Sequence, residues 1–505
     1  QLLYLHPAPL NCRQSIPTQV VFNGLLAACR TFPRHSRIIP APPSDVPRMS
    51  RFRPIDRKTD YLLPPSLDDW LPEDHLARFI LEAIERLDLG ALTRAYGGRG
   101  SAAYHPEVLL SLLVYGYASG TFSSRKIERA TYDSLAFRYL AAGSHPDHDT
   151  LASFRRRFLD ELADIFLQVL ELAGEMKLLK LGTISLDGTK LRANASRHSA
   201  LSYGHLQVLE RQLKDEVQEL LVLAESADQA EFPDGIDLPD EIKRRQDRLL
   251  AMDAAKAKIE ARARVRFEQD QAAYQEKLAK RVARAAQTGK KPGGKPPKAP
   301  LQGPAAHEQI NLTDEDSRIM RVAGGGFEQC YNAQAAVDTD TLLVVAQDLT
   351  QAGNDKQQVV PMLAELKALP ASLGQVQALL GDCGYNSESN IAACAAAEIE
   401  PYLAVAREDH HPDWRARFEE PAPLDADASA QQRMAHKLKS QPGRRLYALR
   451  KQTVEPVFGI IKSVMGFRQF LLRGMDKVSG EWRLVCLAWN LKRMAVLRHK
   501  SVPCG

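Results

Sequence analysis

The chain has 505 residues, 44% of them hydrophobic, and a formal net charge of +5. That length accommodates about two to four domains with sizeable cores, and so small a net charge makes no case for nucleic acid unless its distribution does. Seven cysteines without a Cys-x-x-Cys pair argue against a disulfide framework and a zinc ribbon and suit a reducing cytoplasm, while no apolar run approaches the roughly 20 residues that span a bilayer.

Residues 1–48 are irregular and Pro-containing, with no amphipathic period before Met49. Leu26-Ala27-Ala28-Cys29 matches a lipoprotein cleavage box only superficially, because the apolar segment before it is short and broken by Asn23 and Gly24. Met49 is therefore expected to be the natural start, with 1–48 upstream sequence translated in error.

Residues 49–178 read as a helical domain. Pro72-Glu73-Asp74 places a proline and two acids in a first turn, and Pro106 starts a helix over the apolar run 108–113 that Gly116 and Gly120 weaken or end. Two polar-to-basic helix starts follow, at Ser123–Glu128 and Asp147–Arg157, in the manner of a helix-turn-helix. Arg125, Lys126, Arg155 and Arg156 are its candidates for DNA phosphate contact, set against the plainer reading of a solvated basic face.

Leu181–Leu186 predicts a short strand ending at Asp187. Tyr331–Val337 and Leu342–Leu349 predict a hairpin about the turn-like Asp338-Thr339-Asp340. A helix is expected to open at Gly353-Asn354-Asp355-Lys356 and run towards Leu369. Val376–Leu380 then delivers Asp382, and Pro401–Val405 makes a fifth strand. This order predicts an α/β fold with a mixed sheet, whose acids at the carboxyl ends of adjacent strands point into one crevice. Residues 179–199 and 307–500 would form that core.

The stretch 200–306 between the first two strands is too long for an ordinary loop and reads as an inserted module. Leu206, Leu209, Leu213, Val217, Leu220 and Leu221 line one helical face, Pro233–Pro239 breaks it, and Glu241 to about Ala286 makes a second, highly charged helix. An antiparallel helical hairpin is the simplest arrangement. Lys290–Lys298, rich in Lys, Pro and Gly, returns as a flexible basic linker, either a solvated tether or a contact for DNA phosphates.

Asp187, Asp382 and Glu455 are the candidate metal ligands, because a hard divalent cation takes carboxylate oxygens and leaves room for water and phosphate. The seven-residue step from Glu455 to Lys462 puts both on one helical face, whereas the five-residue step back to Arg450 turns away. Tyr447 and Arg450, three apart, adjoin if helical. Pro456 suggests a helix starting there with Glu455 as its N-cap. Leu186-Asp187-Gly188-Thr189 also resembles the nucleophile loop of aspartyl-phosphate phosphatases, but Ser185 stands where the attacking carboxylate belongs.

With these segments in view, the chain from about Met49 to Met494 resembles a DDE transposase of a bacterial insertion sequence, in the branch with a Tyr-Arg-Glu-Lys signature. The resemblance rests on Asp-Gly-Thr-Lys at 187–190, Gly-Asp-x-Gly-Tyr at 381–385, and Tyr447, Arg450, Glu455 and Lys462. It extends to 311–314, 331–334, 353–355 and 489–493. Four residues rather than the usual three separate Arg450 from Glu455, so Lys451 occupies the expected arginine place.

The resemblance implies a ribonuclease H-like core, an N-terminal helical DNA-binding region and a helical-hairpin insertion. It implies two Mg2+ or Mn2+ ions on Asp187, Asp382 and Glu455, nicking by activated water, and joining of the freed 3′-hydroxyl to target DNA. Lys462 and Arg450 would grip phosphates and Tyr447 would orient the DNA end. The partners would be double-stranded DNA, as terminal inverted repeats and target, and a second copy of the chain in a paired-end dimer. Such a protein would work in the bacterial cytoplasm, at the nucleoid, with no membrane involved. A domesticated or regulatory DNA-binding protein without recombination is the alternative.

Overall fold

The computed structural model describes residues 55–56, 66–97, 102–227, 238–289, 293–322, 324–406, 419–425 and 427–501. The expectations for 1–48 and Met49, for the break at 233–237 and for Lys290–Pro292 lie outside the described residues.

Among the described residues eight helices come first: α1 (Leu67–Trp70), α2 (Leu76–Glu85), α3 (Gly90–Arg94), α4 (Pro106–Ser119), α5 (Ser124–Asp133), α6 (Leu135–Leu140), α7 (His148–Arg157) and α8 (Leu162–Glu175). Pro106 is the first residue of α4, and the His105 side chain accepts from the Glu107 N–H as its N-cap. Nearly every side chain of α4 is buried, which is why its sequence is apolar all round. Gly120 ends it in the left-handed conformation, φ 87°. Gly116, expected to weaken the helix, sits inside it for another reason: a Cβ there would stand 2.7 Å from the Thr121 carbonyl and 2.9 Å from Ile127 of α5.

The rest of the chain runs β1 (Leu181–Arg192), β2 (Ala200–Ser202), α9 (Tyr203–Ala227), α10 (Leu238–Thr288), β3 (Gln309–Asn311), β4 (Arg318–Arg321), β5 (Phe327–Asp338), β6 (Val344–Thr350), α11 (Val359–Lys367), β7 (Gly374–Gly381), α12 (Glu388–Ala396), β8 (Glu400–Leu403), α13 (Ala430–Lys439), α14 (Gln441–Ser463) and α15 (Met475–Ser501). β5 lies antiparallel between β6 and β1, and β1, β7 and β8 follow as parallel neighbours, with β4 paired to the first part of β5. The fold is thus mixed α/β about a six-stranded mixed sheet. α15 packs on α2, α4 and α8 and also on β6, so one hydrophobic core continues from Leu67 through the sheet to Ala495.

The hairpin and the two later strands fall close to where the sequence predicts them. Three local expectations give way. β1 does not end at Asp187 but continues to Arg192, because β5 goes on pairing with it beyond the point where β7 stops. Gly353–Lys356 is a turn and the helix after it begins only at Val359, since the Asp355 carboxylate bonds to β5 instead of capping a helix. α14 runs straight through Pro456. A proline there forgoes one backbone bond, and buried Val454, Val457, Phe458 and Ile461 hold the helix on both sides of it.

The insertion has its own small core, in which Leu206 and Leu213 of α9 meet Met252, Ala255 and Ile259 of α10 and Ile310 of β3. The two helices are unequal, 25 residues against 51.

Candidate active site

β1 and β7 are in parallel register with Ser185 beside Leu380. Two residues further on come Asp187, within β1, and Asp382, the residue just past the end of β7, level with one another and, if the two-residue period carries on, on one face. The Asp187 carboxylate accepts from the Gly188 N–H at 2.8 Å, and Asp382 accepts from the Gly384 N–H at 2.8 Å. A Cβ at 188 would crowd Gln334 Nε2 and lie 2.6 Å from Asp355 Oδ1 and 2.9 Å from Asn332 Oδ1, so these three side chains close directly over the Gly188 backbone.

Asp355 is therefore the site's third aspartate, and sequence reasoning missed it. Its signal is the Gly353-Asn354-Asp355 segment, which the sequence places both at an expected helix start and among the segments that carry the resemblance. Asn332 Nδ2 and Gln334 Nε2 of β5 donate to its Oδ1 at 2.7 and 2.8 Å, and Lys190 Nζ stands 3.7 Å away. Tyr385, from the Gly-Asp-x-Gly-Tyr segment, donates in turn to Gln334. Each polar side chain in this row is oriented by the next.

α14 supplies the remaining groups. Arg450 reaches Asp187 at 3.4 Å with one amino group and Glu455 at 3.0 Å with the other. The five-residue step that should separate Arg450 from Glu455 is bridged by the length of the arginine side chain. Arg450 is 12% exposed, whereas Lys451 is exposed, so Arg450, not Lys451, faces the acids. Half-buried Tyr447 raises the Arg450 pKa electrostatically together with the acids, against burial as the largest opposing influence. Lys462 lies on the same side of α14, but its ammonium meets the Thr189 hydroxyl and, at 3.1 Å, the Lys190 carbonyl; burial lowers its pKa.

Burial pushes the Asp187 carboxyl up to about 6, and the neighbouring Asp382 and Asp355 add to the shift against the Gly188 N–H and Arg450. The two ends of the Arg450–Asp187 pair respond differently for a physical reason. The guanidinium sits among several acids, while Asp187 has a single cation at 3.4 Å.

The donor set suits Mg2+ or Mn2+, both oxygen-seeking ions. Asp187 carries more negative charge nearby than Arg450 offsets, and fully buried Asn332 has an Oδ1 with no hydrogen-bond partner. An added cation would meet both deficits. As the side chains stand, no three His, Cys, Asp or Glu groups among the described residues are grouped to hold a metal ion; the Arg450 guanidinium lies between Asp187 and Glu455.

Residues 65–157 match the family model of a transposase domain (DUF772). Residues 423–495, which include Tyr447, Arg450, Glu455 and Lys462, match that of a transposase DDE domain. Both matched segments are transposase domains, and the DDE domain makes the chain a transposase enzyme. No curated protein and no solved structure matches it.

The first of these matches covers α1 to α7 of the transposase. Arg125 and Lys126 on α5 and Arg156 on α7 are exposed. Arg155 corrects the expectation of a DNA contact: it is 8% exposed and donates to the Tyr117 hydroxyl at 3.0 Å and the Phe122 carbonyl at 3.3 Å. The three consecutive arginines at 155–157 point in three directions on the helix, and the first of them turns inward with Phe154. Trp482 and Trp489 are both buried and donate to backbone carbonyls of Gln334 and Leu342, so neither is available to stack on a base. No helix among the described residues is long and apolar enough to cross a membrane.

Proposed function

We propose that this transposase binds the terminal inverted repeats of its insertion sequence, nicks them, and joins the 3′-hydroxyl ends to target DNA. The observation that carries the reading is the level placement of Asp187 and Asp382 by adjacent parallel strands, with Arg450 linking Asp187 to Glu455. The strand order β6-β5-β1-β7-β8, three antiparallel strands followed by two parallel ones, supports a ribonuclease H-like core.

Asp187, Asp382 and Glu455 would hold the metal, with Asp355 as a further acid beside the first two. Two Mg2+ or Mn2+ ions, when bound, would activate water and stabilise the leaving oxygen of the scissile phosphodiester. Arg450 releases Asp187 and Glu455 for that purpose and takes a DNA phosphate instead, an exchange its forked guanidinium suits. Lys462 anchors α14 to β1 beside Thr189, so that Glu455 keeps its place relative to the sheet. Arg125, Lys126 and Arg156 would contact phosphates of the repeat, and two copies of the chain would pair two ends.

The test is Mg2+- or Mn2+-dependent cutting of a labelled duplex taken from the repeats that flank the coding region. Metal-dependent cleavage that Asp382→Asn abolishes supports the reading. Specific binding with no cleavage by the unaltered protein at any metal concentration defeats it and favours a DNA-binding protein without recombination.

A further inference from the structure

The insertion is a hairpin for only half of α10. Tyr203, the first residue of α9, donates to Glu260 at 2.7 Å, which sets the two helices level at that point. Along the inner half, cations and acids are matched across the pair: Arg245 with Glu216 at 3.0 Å and Lys256 with Glu210 at 2.8 Å. Beyond Glu260, α10 continues to Thr288 with no second helix beside it among the described residues, a length of about 40 Å at 1.5 Å per residue. Its companion there is the returning chain, held by Arg281 to the Gly294 carbonyl at 2.9 Å and by Arg266 to the Gly303 carbonyl at 3.2 Å.

The charge is one-sided at the far end of this outer half and along its return. Between Glu276 and Glu308 the sequence has eight Lys and Arg and no Asp or Glu. Helix and return enclose a cleft of about 880 Å3, lined by Lys277, Lys280, Arg281, Arg284, Lys295 and Lys298, with Asp270 as the single carboxylate among the described residues that line it. Glu276 engages Lys280. An exposed charged helix ordinarily intersperses both signs, as the inner half does. A cleft of cations at the end of a projecting helix leaves self-repulsion to be relieved by a polyanion.

We infer that the outer half of α10 and its return form a second DNA-binding element, a prong that grips the phosphate backbone of duplex DNA away from the carboxylate site. The inference rests on the transposase reading for its choice of polyanion. Its chemistry is sequence-independent, because ammonium and guanidinium groups in an open cleft read phosphates rather than base edges.

The experiment measures binding of a 40-base-pair random-sequence duplex over a range of salt, using the full chain. Each phosphate contact contributes roughly 0.9 to the slope of log affinity against log salt. Replacing Lys277, Arg284, Lys295 and Lys298 together by Ala is expected to reduce that slope by about 2–4. Lys277→Arg, Lys295→Arg and Lys298→Arg together should keep the slope, which separates charge from fold. A fourfold Ala variant with the slope and affinity of the unaltered protein overturns the prong. Failure of metal-dependent cleavage by the unaltered protein, with the slope still lost in the variant, would instead defeat the catalytic proposal and leave the prong standing.

Discussion

The Tyr117 hydroxyl of α4 donates to the Glu481 carboxylate of α15 at 2.7 Å, joining residues 364 positions apart. Glu481 is fully buried and also accepts from the backbone N–H groups of Leu471 and Leu472 at 2.9 and 3.0 Å. Arg155 completes the cluster from α7 through the same hydroxyl. The N-terminal helices are thereby tied to the chain that follows α14, and α14 carries Glu455.

Tyr117→Phe keeps the ring and removes the hydroxyl, leaving a carboxylate oxygen and a guanidinium short of a partner inside the core. The expected cost is about 1–3 kcal/mol, seen as a lower urea midpoint. Arg155→Ala should lose stability in the same way while leaving the salt slope of DNA binding unchanged. A loss of slope without loss of stability would return Arg155 to the DNA surface.

Asp187 predicts a pH dependence in metal-free protein. Its folded pKa, about 6, lies above its ordinary 3.8, so the contribution it makes to stability is whole below pH 3.8 and is lost as pH rises through about 6. Asp187→Asn stays neutral throughout. It should therefore exceed the unaltered protein by about 1–3 kcal/mol near pH 8 and match it near pH 4, measured by urea unfolding with chelator present. A constant difference across that range would show that burial does not set this carboxyl.

Arg450 and Lys451 separate cleanly. Arg450→Ala leaves Asp187 and Glu455 without their shared cation and should lower cleavage by roughly 100-fold or more, in the range of a lost preorganised electrostatic contact. Lys451→Ala, on the exposed side of α14, should stay within about twofold. Cleavage assays on the same labelled end compare them, and a larger loss at Lys451 would reverse the assignment.

Asp355→Asn keeps the shape of the side chain and removes its charge next to Asp187 and Asp382. Mn2+ binding followed by titration calorimetry should weaken about 10–100-fold, the usual effect of altering a group that supports metal ligands. Unchanged Mn2+ affinity would make Asp355 a purely structural partner of Asn332 and Gln334.

Much of this protein is decided locally. Short runs of strand-forming residues place β5, β6, β7 and β8, the proline at 106 and the left-handed glycine at 120 bound α4, and the spacing of Leu206 and Leu213 gives α9 its buried face. Residue spacing also marks Asp187, Asp382 and Glu455 as candidates, since each stands in a short, distinctive segment. Helical and strand periods report on neighbours one or two turns away, and they go no further.

Tertiary structure decided the rest. The register of β1 on β7 sets Asp187 beside Asp382, and the fold of a turn onto β5 adds Asp355 to them. Arg155 is inward because α4 and α15 pack over it, although its sequence neighbours are as basic as any surface run. Pro456 leaves α14 unbroken because the apolar residues around it are buried on the sheet. The second half of α10 projects because α9 is half as long, a mismatch that no helical period records. Local propensity is summed over a few residues, whereas register, burial and the meeting of distant charges depend on the packing of the whole chain.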